Sequence, residues 1–514
     1  MNRNTCLLVL LLECLLLYAP KQAEAQSPDP YAARLTWGPP IFRREGSTRH
    51  QLLGQSSHGL YALRKAAPGV FQPGEQSRYW LERYDQAKNL AISQPLLSGQ
   101  AGCTFQTALV TPEQVWVLYT APGTMPGECQ LMAEALVPET LKPQAPPIIL
   151  GHIPDGCSPA QAETFQVVHT PDSSKILVHG LIPGHSSQDA SLVLMVFDSQ
   201  FSVLLWAQAV EQPADFEPVA CRVSHDGSVY VAGRYSGTHT GYEIQAFSEL
   251  GRQYQRYPLD LADRRLTDLT ITLMPGGDLI CAGLYTYPHT RTAGGILRYQ
   301  LGPSTGWEPM MTQADFGPAL ISTLPVAARI SQPLHLYRLQ KVAIRSDGGL
   351  LVLAEQHQTE EVPVVARTGK PATHATFYYY HYHDILALSL APDGAIEWAT
   401  VIPKRQTTSH QHDPHISFAS YIGPDHIGFV FNDHPDNLPD PHRRNVRPYN
   451  GHKSAAVLIR LDMQGDFVQH QLFNNEDHRI LMRPGGCFQL SAQEMILYGE
   501  RGRNARLGSM KLID

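Results

Sequence analysis

Charge is scarce in this chain and is not patterned. Asp, Glu, Lys and Arg supply only 17% of 514 residues, and the 47 acidic residues against 40 basic ones leave a formal net charge of -7. No run of Lys or Arg forms a stripe, so the electrostatic footprint of a nucleic-acid binder is missing and nucleic acid is not expected as a partner. Long hydrophobic runs are missing too beyond the N-terminus. No later segment reaches the roughly 20 apolar residues that a membrane helix needs, so no transmembrane span is expected, although peripheral attachment to a membrane is compatible with this. Absent as well are an HExxH pair, a Gly-rich phosphate loop and a dinucleotide fingerprint, and with them the common signatures of metalloproteases and nucleotide enzymes. No cofactor is expected. No convincing amphipathic helix interrupts the chain.

What is present begins with Arg3, a Leu-rich stretch over 6–18, and Ala23-Glu24-Ala25 before Gln26. This reads as a secretory leader over 1–25, leaving 26–514 as a single mature domain. Glu13 before Cys14 and Thr5 before Cys6 do not fit a lipidation site. Six of the eight cysteines then remain: Cys103, Cys129, Cys157, Cys221, Cys281 and Cys487. Export permits disulfides. The region of Cys103, Cys129 and Cys157 is where one bond is expected, whereas Cys221 and Cys281 lie in strand-like runs and read as small buried hydrophobes.

A phrase recurs along the chain: a short apolar strand, a Pro/Asp/Gly turn, then a second apolar strand. It is clearest at TFQVVHTPDSSKILVHG from Thr164, ACRVSHDGSVYVAG from Ala220, LTITLMPGGDLICAG from Leu269 and KVAIRSDGGLLVLAE from Lys341. Weaker copies start at His50, Thr104, Ser417 and Cys487. Between them stands a second hairpin phrase of alternating apolar residues, as in SLVLMVFDSQFSVLLWAQAV from Ser191, so each repeat supplies four strands. Successive first turns lie roughly 50 to 77 residues apart, near the range of propeller repeats with long loops. The expected fold is therefore all-β: a single β-propeller of four-stranded blades, with eight blades favoured and seven the alternative if the degenerate first copy is no blade. The last repeat is one strand short, and RLTWGPPIF from Arg34 has no partner. That segment is expected to close the ring as the outermost strand of the last blade.

Several motifs in the C-terminal third carry a resemblance. Asp384-Ile385, Asp393-Gly394, Trp398 and Ile402-Pro403-Lys404-Arg405-Gln406 form one group, Phe431-Asn432-Asp433-His434 with Asn437 a second, and Tyr498-Gly499-Glu500-Arg501-Gly502 a third. Together they resemble uncharacterised exported propeller proteins of the Bacteroidetes. The resemblance implies an exported, Gram-negative envelope protein, periplasmic, outer-membrane-associated or extracellular. The chain is expected to end inside its last blade, without a further sorting domain. That family has no assigned activity to transfer.

Chemistry is best sought where repeats depart from their own pattern. Three insertions do so: 359–383, 404–415 and 433–453. In an up-and-down blade, the loop between the second and third strands and the connector to the next blade share a face, so the three should meet. Eleven of the 23 histidines fall between His357 and His452. His381 and His383, two apart on a strand, with His410 and His412 nearby, are candidate metal ligands. Tyr380, Tyr382, Lys404, Arg405, Arg443, Arg444 and Tyr449 are candidate ligand-binding residues, since aromatic and Arg side chains dominate binding surfaces. An alternating strand over 377–382 would, on the other hand, send half of its rings into the core. The leading expectation is a non-enzymatic propeller binding a protein or polysaccharide of the cell envelope through this face. The alternative is a hydrolase or lyase, with His410, His412 or His434 as base or metal ligand and Arg443 or Arg444 holding an anionic substrate.

Overall fold

Each repeat folds into a four-stranded antiparallel sheet, and eight such sheets are present. The computed structural model describes residues 33–43, 47–66, 79–125, 127–154, 162–184, 189–237, 240–290, 292–323, 336–366, 373–409, 413–440, 442, 445–449, 451 and 453–512. The expected leader lies outside them. Blade 1 comprises Ser47–Ser56, Gly59–Ala66, Tyr79–Tyr84 and Leu90–Pro95, so the degenerate first copy is a true blade and the count is eight. Blades 2 to 7 follow in chain order over 104–154, 165–213, 216–258, 265–315, 337–402 and 419–474.

Stacking explains the composition of the strands. In blade 5 the second strand, Leu279–Thr286, is buried at every position because neighbouring blades cover both sheet faces. Its sequence is accordingly a continuous apolar run rather than an alternation. The outermost strand of blade 4, Gln253–Pro258, is exposed at nearly every position and reads as polar. Eight apolar clusters form, one at each blade interface, and the last joins Ile496, Tyr498 and Leu507 of blade 8 to Leu52, Leu60 and Tyr84 of blade 1. Stacking therefore continues all the way around, and the β-propeller is a closed ring. The Asp-Gly pairs make its hairpin turns. Gly227, Gly348 and Gly394 take φ of 88°, 87° and 91°, which favours glycine. The aspartate before each accepts a backbone N–H two residues on, at 2.9 to 3.0 Å.

The N-terminal strand closes the ring as expected. Arg34–Trp37 pairs antiparallel with Asn504–Lys511, from Arg34 opposite Lys511 to Trp37 opposite Gly508, and Ile41–Phe42 extends the pairing. Trp37 packs edge-on against Phe473 of blade 7, ring centroids 5.3 Å apart. The innermost strand of blade 8 departs from the pattern, being broken into Leu481–Met482 and Phe488–Gln489. Cys129 is disulfide-bonded to a partner outside the described residues, while Cys103, Cys221, Cys281 and Cys487 are free, Cys221 and Cys281 being buried. No helix among the described residues is long and apolar enough to cross a membrane.

Candidate functional site

The three insertions meet, but the first is not a loop. The second and third strands of blade 6, Leu350–Ala366 and Thr373–Leu390, run on past the body of the blade as a two-stranded ribbon, paired from Leu350 opposite Leu390 to Ala366 opposite Thr373. The short strand Gln406–Thr408 of the second insertion joins this ribbon along Tyr380, His381 and Tyr382. Gln406 in turn bridges to Tyr449 of the third insertion, whose N–H donates to the Arg405 carbonyl at 2.9 Å.

The ribbon corrects the expectation that alternate rings over 377–382 face the core. Phe377, Tyr378 and Tyr379 are 52%, 43% and 38% exposed, consecutive residues on both faces of the ribbon, since no blade flanks it there. Tyr380 and Tyr382 are half-buried, and the Tyr382 ring lies 4.4 Å from that of His357. His381 and His383 share one side of their strand as expected, ring centroids 5.3 Å apart. The ring nitrogens of His381 are engaged, Nε2 donating to Glu360 at 3.1 Å and Nδ1 lying 3.0 Å from the Thr407 hydroxyl. Burial, with the charges of Lys404, His381 and Arg405 adding to it, pushes His383 down to about 4, so the ring is neutral at physiological pH. Among the described residues no three His, Cys, Asp or Glu side chains converge as a metal site. His410, His412, Arg443 and Arg444 lie outside the described residues.

Two expected ligand-binding residues are instead turned inward. Lys404 is 1% exposed, and its ammonium donates to Glu355 at 2.7 Å, the Tyr382 carbonyl at 2.9 Å and Gln406 at 3.1 Å. With its donors used in this way, it has no free face for a ligand. Tyr449 is also buried, which raises its hydroxyl pKa. Arg405 remains exposed. The Lys404 pair belongs to a buried polar network. Ser417 donates to the second Glu355 oxygen at 2.7 Å, and Gln406 donates to the Asn432 carbonyl at 2.8 Å. Asn432 donates to the carbonyls of His415 and Met482, both at 2.7 Å, carrying the network from blade 6 into blade 8. Asn437 braces the third insertion through Asp433 and the Arg447 carbonyl, each at 2.8 Å. Lys404, Gln406, Asn432, Asp433 and Asn437, which carried the resemblance, thus pin the insertions to the ring.

One feature of this face has no signal in any single repeat. Between blades 4, 5 and 6 lies a recess of about 530 Å³, lined by Arg234, Arg265 and Arg338 together with four tyrosines. Its walls are strand ends of blades 4, 5 and 6 together with loop residues 287–290 and Ala293 between the second and third strands of blade 5, so it opens on the same face as the ribbon. It also adjoins the ribbon's base, where the His357 N–H donates to the Leu336 carbonyl at 3.0 Å.

No protein-family model matches the chain, and no curated protein matches it significantly in sequence. Solved structures do match in fold. The WD40 domain of SCAP from fission yeast is 9% identical, with a TM-score of 0.44 over 94% of this chain and 95% of that one. The polysaccharide lyase Uly1 is 9% identical, with a TM-score of 0.40 over 93% of this chain and 100% of that one. An oligogalacturonate lyase in complex with manganese is 11% identical, with a TM-score of 0.36 over 94% and 98%. What this chain shares with them is the β-propeller fold alone.

Proposed function

We propose that this protein is an exported, non-enzymatic propeller of a Gram-negative cell envelope that holds a protein or polysaccharide partner through the face formed by blades 6 and 7. The observation that carries the reading is the ribbon: Phe377, Tyr378 and Tyr379 stand exposed in sequence on a paired β-scaffold. Large rings held on ordered backbone offer contact area at low conformational cost, as binding surfaces require. Export is supported by the leader-like N-terminus and by the disulfide at Cys129.

The test is affinity capture from envelope extracts with immobilised mature protein, and affinity electrophoresis through gels containing envelope polysaccharide. Replacing Phe377 and Tyr379 with Ser should abolish retention in one of the two formats while moving stability by no more than about 0.5 kcal/mol, because the residues are exposed. Retention equal to wild type in both formats would refute the reading. Tyr382→Ala should instead lower stability by about 2 kcal/mol, because its ring packs on His357.

A further inference from the structure

The recess between blades 4, 5 and 6 shares no residue with the exposed ribbon tip, so a ligand held there is independent of the partner proposed for the ribbon. Arg234 enters from the second strand of blade 4, Arg265 from the first strand of blade 5 and Arg338 from the first strand of blade 6. Each sits at the end of its strand nearest the common face. No Asp, Glu or Lys is among the described residues that line the recess.

Part of the positive charge is balanced locally. Arg234 pairs with Glu217. Arg265 and Arg338, both exposed, have no ion-pair partner among the described residues, and Arg338 donates only to the Thr267 carbonyl at 3.3 Å. Asp268 lies within electrostatic reach of Arg338 and Arg234, but its oxygens are taken by backbone. They accept the N–H groups of Leu339 at 2.7 Å and Leu269 at 3.0 Å, and burial raises the Asp268 pKa. Two guanidinium groups therefore face the opening with free donors. A guanidinium matches a carboxylate or sulfate with two parallel hydrogen bonds.

The recess is also preorganised. The Thr267 carbonyl accepts from the Tyr242 hydroxyl of blade 4 at 3.1 Å as well as from Arg338 of blade 6, so one backbone group of blade 5 fixes both flanks. Tyr287, 38% exposed, presents a ring at the rim, and its hydroxyl is held by Asp315. Ring faces beside oxyanion-binding donors suit a sugar that carries an acid group. A volume of about 530 Å³ lies in the range of small-ligand sites. A peptide finds less to use here, because the backbone of the lining strands is already paired within the blades.

We infer that this recess is a binding site for an acidic saccharide, whose carboxylate or sulfate is held by Arg265 and Arg338 and whose ring packs on Tyr287. The mature chain would be titrated calorimetrically with a glucuronate trisaccharide, a sulfated trisaccharide, the glucuronate trisaccharide with its carboxyl groups reduced to alcohols, and a tri-glutamate peptide. At least one charged saccharide should bind, more weakly as salt rises. The reduced sugar, and the Arg265→Gln and Arg338→Gln variants, should each lose about tenfold or more in affinity, with melting temperatures unchanged. The Phe377→Ser/Tyr379→Ser protein should bind the saccharide as wild type does, which separates this site from the ribbon. Failure of both charged saccharides to bind would overturn the inference, as would reduced sugar or tri-glutamate binding as tightly as the charged saccharide. Wild-type affinity in the Arg265→Gln/Arg338→Gln double variant would overturn it as well.

Discussion

Arg43, the residue that follows the closing strand, reaches out of blade 8 and grips Glu82 of blade 1 with both ends of its guanidinium, at 2.5 and 2.9 Å. Glu82 is fully buried and also accepts from Arg64 Nε at 2.9 Å and the Tyr84 hydroxyl at 2.6 Å. Burial alone would raise this carboxyl, but the Arg43 hydrogen bond and charge hold it down to about 2. With Trp37 packed on blade 7 and Arg43 bound to blade 1, the N-terminal segment is anchored on both sides of the seam.

Arg43→Ala should therefore destabilise the protein by about 3 kcal/mol, because it strips a buried carboxylate of its two-point partner. Arg43→Lys should recover only part, since an ammonium cannot make the fork. Deleting 34–42 should do more, leaving Asn504–Lys511 as a bare edge and driving aggregation. Denaturant midpoints and light scattering check both. A deletion variant that stays monomeric and melts like the parent would contradict the closure.

A second prediction separates architecture from binding at Lys404. Removing its ammonium in Lys404→Met leaves Glu355 buried without a cation, and stability should fall by about 3 kcal/mol or more. Adding Glu355→Gln should restore part of the loss by removing the stranded charge. Partner capture by the folded fraction should stay at the wild-type level. Full stability in the single variant would show that the buried pair does not hold the insertions.

The third prediction concerns acid. Burial depresses six histidines below their ordinary value of 6.5, namely His50, His179, His357, His383, His415 and His478; His50 falls to about 3, with Arg43 adding to the effect, and His179 and His383 to about 4. Between those values and 6.5 the unfolded chain binds protons that the folded chain refuses. The stability they confer is thus fully present above about pH 6.5 and is lost as pH falls toward 4 and then 3. Urea midpoints should decline over this window. The His50 ring stacks on Tyr498 with centroids 3.8 Å apart, and His50→Phe keeps a ring there without a titrating group, so in that variant the decline should be shallower. An unchanged pH slope in that variant would rule out His50 as a contributor.

What the sequence made legible was whatever a single repeat specifies locally. Gly227, Gly348 and Gly394 announce their turns because the turn geometry favours glycine, and Leu279–Thr286 announces two-sided burial by its unbroken apolar run. The closing strand was legible by counting, since one repeat lacked a strand and one strand lacked a repeat. The ribbon was legible only in part: 377–382 reads as strand, but nothing local says that the strand runs on past the blade, where no neighbour covers its rings. Lys404 read as a surface cation because its burial depends on Glu355, 49 positions away in the chain. The recess was hidden more deeply. Arg234, Arg265 and Arg338 are unremarkable within their own repeats, and only the stacking of three blades brings them to one opening.

The seam also sets a schedule. The hydrogen bond from Thr36 to Ser509 joins residues 473 positions apart, so this early strand has no partner until the last blade is available to it. Neighbouring blades can dock in pairs as they emerge, because each interface is local in sequence, but the union of the two ends carries the largest loop-closure entropy of any contact in the ring. On loop-closure grounds, ring completion is expected to come last in folding. Until it occurs the chain exposes two unmatched β-edges, which is the interval in which a chaperone or a protease would act on it.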